Sequence, residues 1–289
     1  MATLPNPLPQ LAADPSGRSV GLQLPPGRLI DATVDGAWSE PLLWHSGTQA
    51  TPGNWAALGV PAARAGLLPV LVDVGGSRGG PERWELSPED TSYPGDHDAE
   101  DVLAEYWGYE DDEDGEDGED GEDGEASGDG EERGHELEPF GAAWPGLAPA
   151  GTLTVEPGAC ATRLADALTD GSHSWSSDPR LALVPARRSA DIPAAIGWSG
   201  PVNHEDDVAR LCAVLRSWEE RFGIRVVALG FDTLIVSVAA PPTTLADAEA
   251  LAAEHFAFCP DNITQSGVGD LSAYAKELVG EHAWHFWWD

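Results

Sequence analysis

Basic residues are scarce in this chain. Fifteen Lys and Arg stand against fifty Asp and Glu in 289 residues, for a formal net charge of −35. Lys276 is the only lysine. So acidic a surface repels phosphate backbones and anionic lipid heads, so neither nucleic acid nor membrane is an expected partner, whereas basic partners and cations stay open. Cysteine is scarce too. Cys160, Cys212 and Cys259 are odd in number and far apart, so no disulfide framework is expected and a reducing cytoplasm is the simplest setting. No run of eighteen apolar residues occurs, so no segment is expected to span a bilayer. The opening Met1-Ala-Thr-Leu-Pro-Asn-Pro-Leu-Pro9 lacks a basic flank and a long apolar core, and is not expected to act as a secretory signal. Signature motifs are also missing: there is no Gly-x-Ser-x-Gly elbow, His-Glu-x-x-His, Cys-x-x-Cys or dinucleotide fingerprint. That lowers the expectation of catalysis, and no cofactor or metal is expected.

What is present divides into five stretches. Residues 1–20, rich in Pro, Ala and Ser, are expected to form a disordered tail. Residues 21–109 read as a small α/β region. Within it Pro41–His45 and Leu68–Val74 have strand character, a helix starts at Trp55, and another runs over Asp98–Trp107 with Asp98 as its cap. Residues 110–135 form an acidic insert. Fifteen acids and no base lie between Glu110 and Glu132, and glycine adds backbone entropy, so disorder is expected. Its Glu110-x-Asp112-x-Asp114-Gly115 imitates the start of a calcium loop, but position twelve is Gly121 instead of a bidentate Glu. Residues 136–177 connect, with a helix near Ala159–Leu168. The Gly-rich Asp73–Gly80 loop lacks the Lys-Ser/Thr of a phosphate loop and meets Pro81, so it carries no nucleotide-site expectation.

Residues 178–289 are the clearest domain. A strand at Leu181–Val184 precedes a helix with Asn203 as a candidate cap and the stripe Val208, Leu211, Cys212, Leu215, Trp218, Phe222. Ile224–Leu229 and Thr233–Ala239 form a hairpin around Gly230-Phe-Asp232. Helices capped by Thr244 and Asp270 follow, and Ala283–Trp288 closes as a strand. The order β-α-β-β-α-α-β, less its third helix, is that of a ferredoxin-like split β-α-β sandwich. The expected class is therefore α+β, with this sandwich packed against the smaller N-terminal region. Leu215-Arg-Ser-Trp-Glu-Glu-Arg-Phe-Gly223, Ala253-Glu-His-Phe-Ala-Phe-Cys-Pro-Asp-Asn262, Gly197-Trp198, Ala239-Ala-Pro-Pro242 and Phe286-Trp-Trp-Asp289 together resemble the uncharacterised, largely actinobacterial family called domain of unknown function 4253. Gly66–Leu71, Pro94–Asp98 and Phe140–Ala148 resemble longer members, which carries the similarity over roughly 21–289 outside the insert. The resemblance implies no activity.

Candidate chemistry gathers around Glu254, His255, Cys259 and Asp261. His255 and Cys259, four apart, share a helical face. Cys259 also continues an apolar stripe and sits at a helix C-terminus, where the dipole disfavours a thiolate, so a space-filling role is preferred over a nucleophile or zinc ligand. Asp261 and Asn262 have the chemistry to close a turn. In the closing strand Trp284, Phe286 and Trp288 share one face, and His285 and Trp287 the other. Trp198, Asn262, His285 and Trp287 are the candidate binding residues. His282 and His285, an odd step apart on a strand, diverge and make a poor metal pair. The expected function is non-catalytic binding of a partner or small ligand at the seam between the N- and C-terminal parts. One alternative is an enzyme with Glu254 or Asp261 as acid or base and His255 as proton shuttle. Another is an acidic neutraliser of a basic protein or toxin.

Overall fold

The computed structural model describes residues 6–33, 36–108, 137–172, 175–267 and 269–289. The acidic insert, with the disorder expected of it and the neutraliser reading built on it, lies outside the described residues.

Runs such as Leu68–Asp73 and Leu234-Ile-Val-Ser237 are apolar at nearly every position, a pattern that needs a sheet covered on both faces. The strands are β1 (Gly27–Ile30), β2 (Ala32–Thr33), β3 (Gly36–Ala37), β4 (Leu43–Ser46), β5 (Leu68–Asp73), β6 (Pro179–Val184), β7 (Arg225–Leu229), β8 (Thr233–Ser237) and β9 (Ala283–Trp287). Seven of them form one sheet in the order β1-β4-β6-β5-β7-β8-β9, and β2 and β3 pair separately. All pairings in the large sheet are antiparallel except β5 with β7, where Leu71 and Val72 lie beside Ala228 and Leu229. The helices are α1 (Leu8–Ala13), α2 (Asn54–Arg64), α3 (Ala99–Gly108), α4 (Pro157–Thr169), α5 (Ile192–Ile196), α6 (Val208–Phe222), α7 (Leu245–Phe258), α8 (Asp261–Thr264) and α9 (Leu271–Leu278).

The two-residue period of the strands sorts side chains between two cores. Val70, Val72, Ala182, Val184, Leu234, Val236, Trp284 and Phe286 face the main core with α3, α5, α6, α7 and α9. Leu71, Leu181, Val227 and Ile235 face a second core, closed by Trp55 of α2 and by Ala161, Ala165 and Leu168 of α4. The protein is thus a mixed α/β fold with helices on both faces of a mostly antiparallel sheet.

The ferredoxin-like arrangement expected for residues 178–289 is not what forms. That topology sets the first strand of the unit beside the third. Here β6 is separated from β8 by β5 and β7. The physical reason is a long-range pairing. β5, from the N-terminal region, matches six residues of β6 in register from Leu68 opposite Val184 to Asp73 opposite Pro179, and so takes the place beside β6. The N-terminal region is accordingly part of the sheet and not a separate body packed on it. Residues 6–20 also differ from the expected disordered tail. Leu8 and Leu11 of α1 are buried with Leu22, Trp44, Leu67 and Leu183, a cluster that supplies the apolar burial a tail lacks.

Local signals hold where the interaction is short-range. Thr244 accepts a hydrogen bond from Asp247 N at 3.2 Å, Asp270 from Ala273 N at 2.6 Å and Asp98 from Glu100 N at 2.9 Å, each capping its helix. For α6 the cap is Asp207, which accepts from Ala209 N at 3.1 Å, and not Asn203, whose amide instead donates to Asp289 O at 2.7 Å.

Candidate functional site

The residues singled out from the sequence divide between a sealed core and a sheet edge. Glu254 and His255 of α7 are both fully buried. Four donors meet the Glu254 carboxylate: Arg221 Nη1 at 2.8 Å, Arg221 Nη2 at 2.5 Å, Trp218 Nε1 at 2.7 Å and Ala148 N at 2.6 Å. Arg221 Nη1 also donates to Ala148 O at 2.9 Å, so the pair clamps α6, α7 and the connecting segment together. A buried ion pair is tolerable when geometry is bidentate and the remaining lone pairs are answered, and here both conditions are met. His255 is ringed by Trp218, Trp284, Phe286 and Tyr274, with ring centroids 4.6–5.8 Å away. Its Nδ1 lies 3.1 Å from Tyr274 Oη, and its Nε2 has no hydrogen-bond partner among the described residues. Burial, reinforced by the Arg221 cation, pushes its pKa down to about 3. A neutral, sealed imidazole does not shuttle protons, and a carboxylate holding four donors has no room for substrate.

Cys259 is buried as expected. It donates to Trp287 O at 3.0 Å, and burial pushes its thiol well above the ordinary range. Asp261 and Asn262, at the start of α8, serve a strand more than the turn. The Asn262 amide donates to His285 O at 2.6 Å and accepts from Trp287 N at 3.2 Å, while Asp261 Oδ2 accepts from Asp289 N at 3.0 Å. These side chains answer the outer edge of β9 as a further strand would. Trp198 is buried, donates to Gly230 O at 3.0 Å and packs edge-on against Trp288. His285 and Trp287 remain exposed at the sheet edge, Trp287 at 37%. The structure therefore does not bring the sequence-selected residues together in one pocket.

Two smaller clefts of about 340 Å³ each flank the start of α3 and share His97. Ser92 Oγ lies 2.6 Å from His97 Nε2, and Asp207 Oδ2 lies 3.8 Å from that same nitrogen. A relay places the carboxylate on the opposite ring nitrogen, so this trio lacks the geometry of a nucleophile with its oriented base.

A larger cleft, about 550 Å³, opens where the three parts of the chain meet. Its apolar wall is Trp55, Ala56, Gly59 and Ala63 of α2, with Leu68 and Pro69 entering β5. The first turns of α4 also line it. A hydrogen bond from Gly53 N to Asp166 Oδ1, at 2.8 Å, ties the start of α2 to α4. Arg187, Arg188 and Ser189, following β6, supply the polar wall with Glu219 and Arg225. Three of the chain's few basic residues therefore converge here. Glu219 is shared, with Oε1 at 3.1 Å from Arg225 Nη1 and Oε2 at 3.4 Å from Arg188 Nε. Arg188 Nη1 continues to Glu220 at 2.9 Å. Glu156 caps α4, accepting from Gly158 N and Ala159 N at 2.9 and 2.7 Å, and those hydrogen bonds hold its carboxyl below the usual range. Arg225 Nη1 also donates to Ile224 O at 2.6 Å, but among the described residues no acceptor meets its Nε or Nη2.

Sequence reasoning selected none of these cleft residues. The signals were there as breaks in pattern: a glycine at position 59 inside a helix, a dibasic Arg187-Arg188 in a base-poor chain, and Arg225 interrupting an apolar strand. Among the described residues no group of three or more His, Cys, Asp or Glu is placed to hold a metal ion, and no helix is long and apolar enough to cross a membrane. No curated protein and no solved structure matches the chain. Residues 180–289 do match a family model, so that segment is similar to the family described as Domain of unknown function (DUF4253).

Proposed function

We propose that this protein binds a small ligand without catalysis, and that its site is the cleft at the seam of the N-terminal, connecting and C-terminal segments. One observation carries the reading: about 550 Å³ of concave space, lined both by apolar groups such as Trp55, Gly59 and Pro69 and by Arg187, Arg188 and Arg225. Small-molecule sites of roughly 300–1,000 Å³ combine an apolar body with a few convergent polar groups, and this cleft has both. The interior position of Glu254 and His255 supports binding over acid–base chemistry, because the charged and titratable groups of that cluster are consumed by packing. Placement in the cytoplasm remains an expectation of the cysteine usage, and a basic protein partner one of the acidic composition.

The reading is tested on the full chain with a small-molecule library screened by thermal shift, followed by amide hydrogen exchange with each hit. Ligands are expected to protect α2, the first turn of α4 and the stretch 187–189 together. Protection confined to other elements, or turnover of any hit, overturns it.

A further inference from the structure

We infer that the seam cleft takes a small amphipathic carboxylate, its two oxygens on the Nε/Nη2 edge of Arg225 and its apolar body against Trp55, Gly59 and Pro69. The inference rests on the seam being the binding site and adds the ligand class. Guanidinium groups bind carboxylates through two parallel N–H donors, and the Nε/Nη2 edge is one such pair. In Arg225 that edge has no acceptor among the described residues, whereas Nη1 is engaged by Glu219 and Ile224 O. The side chain is 31% exposed and lines the cleft, so the edge is reachable.

Among the described residues no acid is hydrogen-bonded to that edge. Both Glu219 oxygens face arginines already, and Glu156, which feels the Arg225 charge through space, places its hydrogen bonds on the first turn of α4. One edge with two parallel donors suits a monoanion. A phosphate monoester carries close to two charges and three strong acceptors, more than one free edge answers. An ammonium ligand has to displace arginine from Glu219. The lining contributed by α2 and the start of β5 carries no charged side chain, so a ligand that is anionic at one end and apolar at the other is the match.

The test is isothermal titration calorimetry on the full chain with 3-phenylpropionate and decanoate as probes. 3-Phenylpropanol, 3-phenylpropylamine and inorganic phosphate serve as comparisons. Carboxylates are expected to bind at least tenfold more tightly than the alcohol, amine or phosphate. Arg225→Gln is expected to remove that advantage, and Arg225→Lys, which keeps the charge but not the fork, to remove most of it. In Gly59→Leu a new side chain enters the cleft, where a Cβ meets Pro69 Cγ at an ordinary 3.6 Å, and binding of all apolar probes is expected to fall. Carboxylates binding no better than the alcohol, or unchanged by both Arg225 variants, overturn the ligand class. The seam reading survives that result if Gly59→Leu still abolishes binding of the alcohol. Binding indifferent to Gly59→Leu, or no probe binding at all, overturns both.

Discussion

Two Arg–Glu clusters in this protein are built from the same groups and do opposite things. At Arg221–Glu254 both carboxylate oxygens are met, by two guanidinium nitrogens, an indole N–H and a backbone N–H, and the carboxylate is wholly buried. At Arg225–Glu219 the carboxylate is likewise shared, but the arginine keeps two donor nitrogens in hand at the wall of a cleft. Saturation marks the first as architecture. Incomplete saturation beside concave space is what supports the proposal that the second takes a ligand. Charge type alone does not separate them; the count of answered donors does.

The sharpest way to break that contrast is to remove one partner in the core. Glu254→Ala leaves Arg221, Trp218 Nε1 and Ala148 N without their acceptor, and a loss of about 3–5 kcal/mol is expected by urea denaturation. Glu219→Ala, at the partly solvated cleft, is expected to cost about 1 kcal/mol or less. If the two losses are equal, the distinction fails. Truncation in the closing strand probes the same division across one β-strand. Phe286 stacks on Trp218 at 5.5 Å and is fully buried, so Phe286→Ala is expected to cost about 3–5 kcal/mol, whereas the exposed Trp287→Ala should fall within about 1 kcal/mol.

Acid sharpens the comparison next. His255 has its folded pKa near 3, below its ordinary 6.5, because burial penalises the cation. The unfolded chain therefore takes up a proton in a window where the folded chain does not. Stability from this group is complete above about pH 6.5 and is lost as pH falls from there towards 3, at up to about 1.4 kcal/mol per pH unit. His45 and His204 are depressed by burial in the same direction. Between pH 7 and 5, His255→Phe is expected to recover about 2 kcal/mol of the wild-type decline in urea-derived stability. An unchanged slope would mean that the imidazole is hydrated in solution. The smallest expected effect is a gain. Gly59→Ala places a methyl in ordinary contact with Pro69 and Trp55 and removes a glycine from a helix interior, worth about 0.5–1 kcal/mol, measured as a raised urea midpoint.

Legibility in the sequence follows the range of the interaction. Caps such as Thr244 and Asp270 bond backbone three residues away, and the stripe Val208–Phe222 lies on one helix, so both are readable in a short window. The inward face of Trp284, Phe286 and Trp288 follows from the two-residue period alone. The pairing of β5 with β6 joins residues more than a hundred apart, and nothing local to either run announces the other. Asn262 shows the same limit. Its amide was readable as a turn-former, but its acceptor and donor, His285 O and Trp287 N, belong to a strand over twenty residues on. The seam cleft is the extreme case, since α2, α4, the 187–189 stretch and Arg225 meet only once the whole sheet is assembled.

The middle position of the sheet belongs to β5, yet the family segment begins at residue 180, at the start of β6. Severed from its front half, that segment would hold β6 and β7 apart with a vacant slot between them, two raw backbone ladders wide enough for one guest strand. Such a fragment would stick to copies of itself or borrow a strand from another chain. The family's boundary is thus a boundary of sequence likeness, while a piece that keeps the sheet continuous from β6 to β7 has to reach back at least to Leu68.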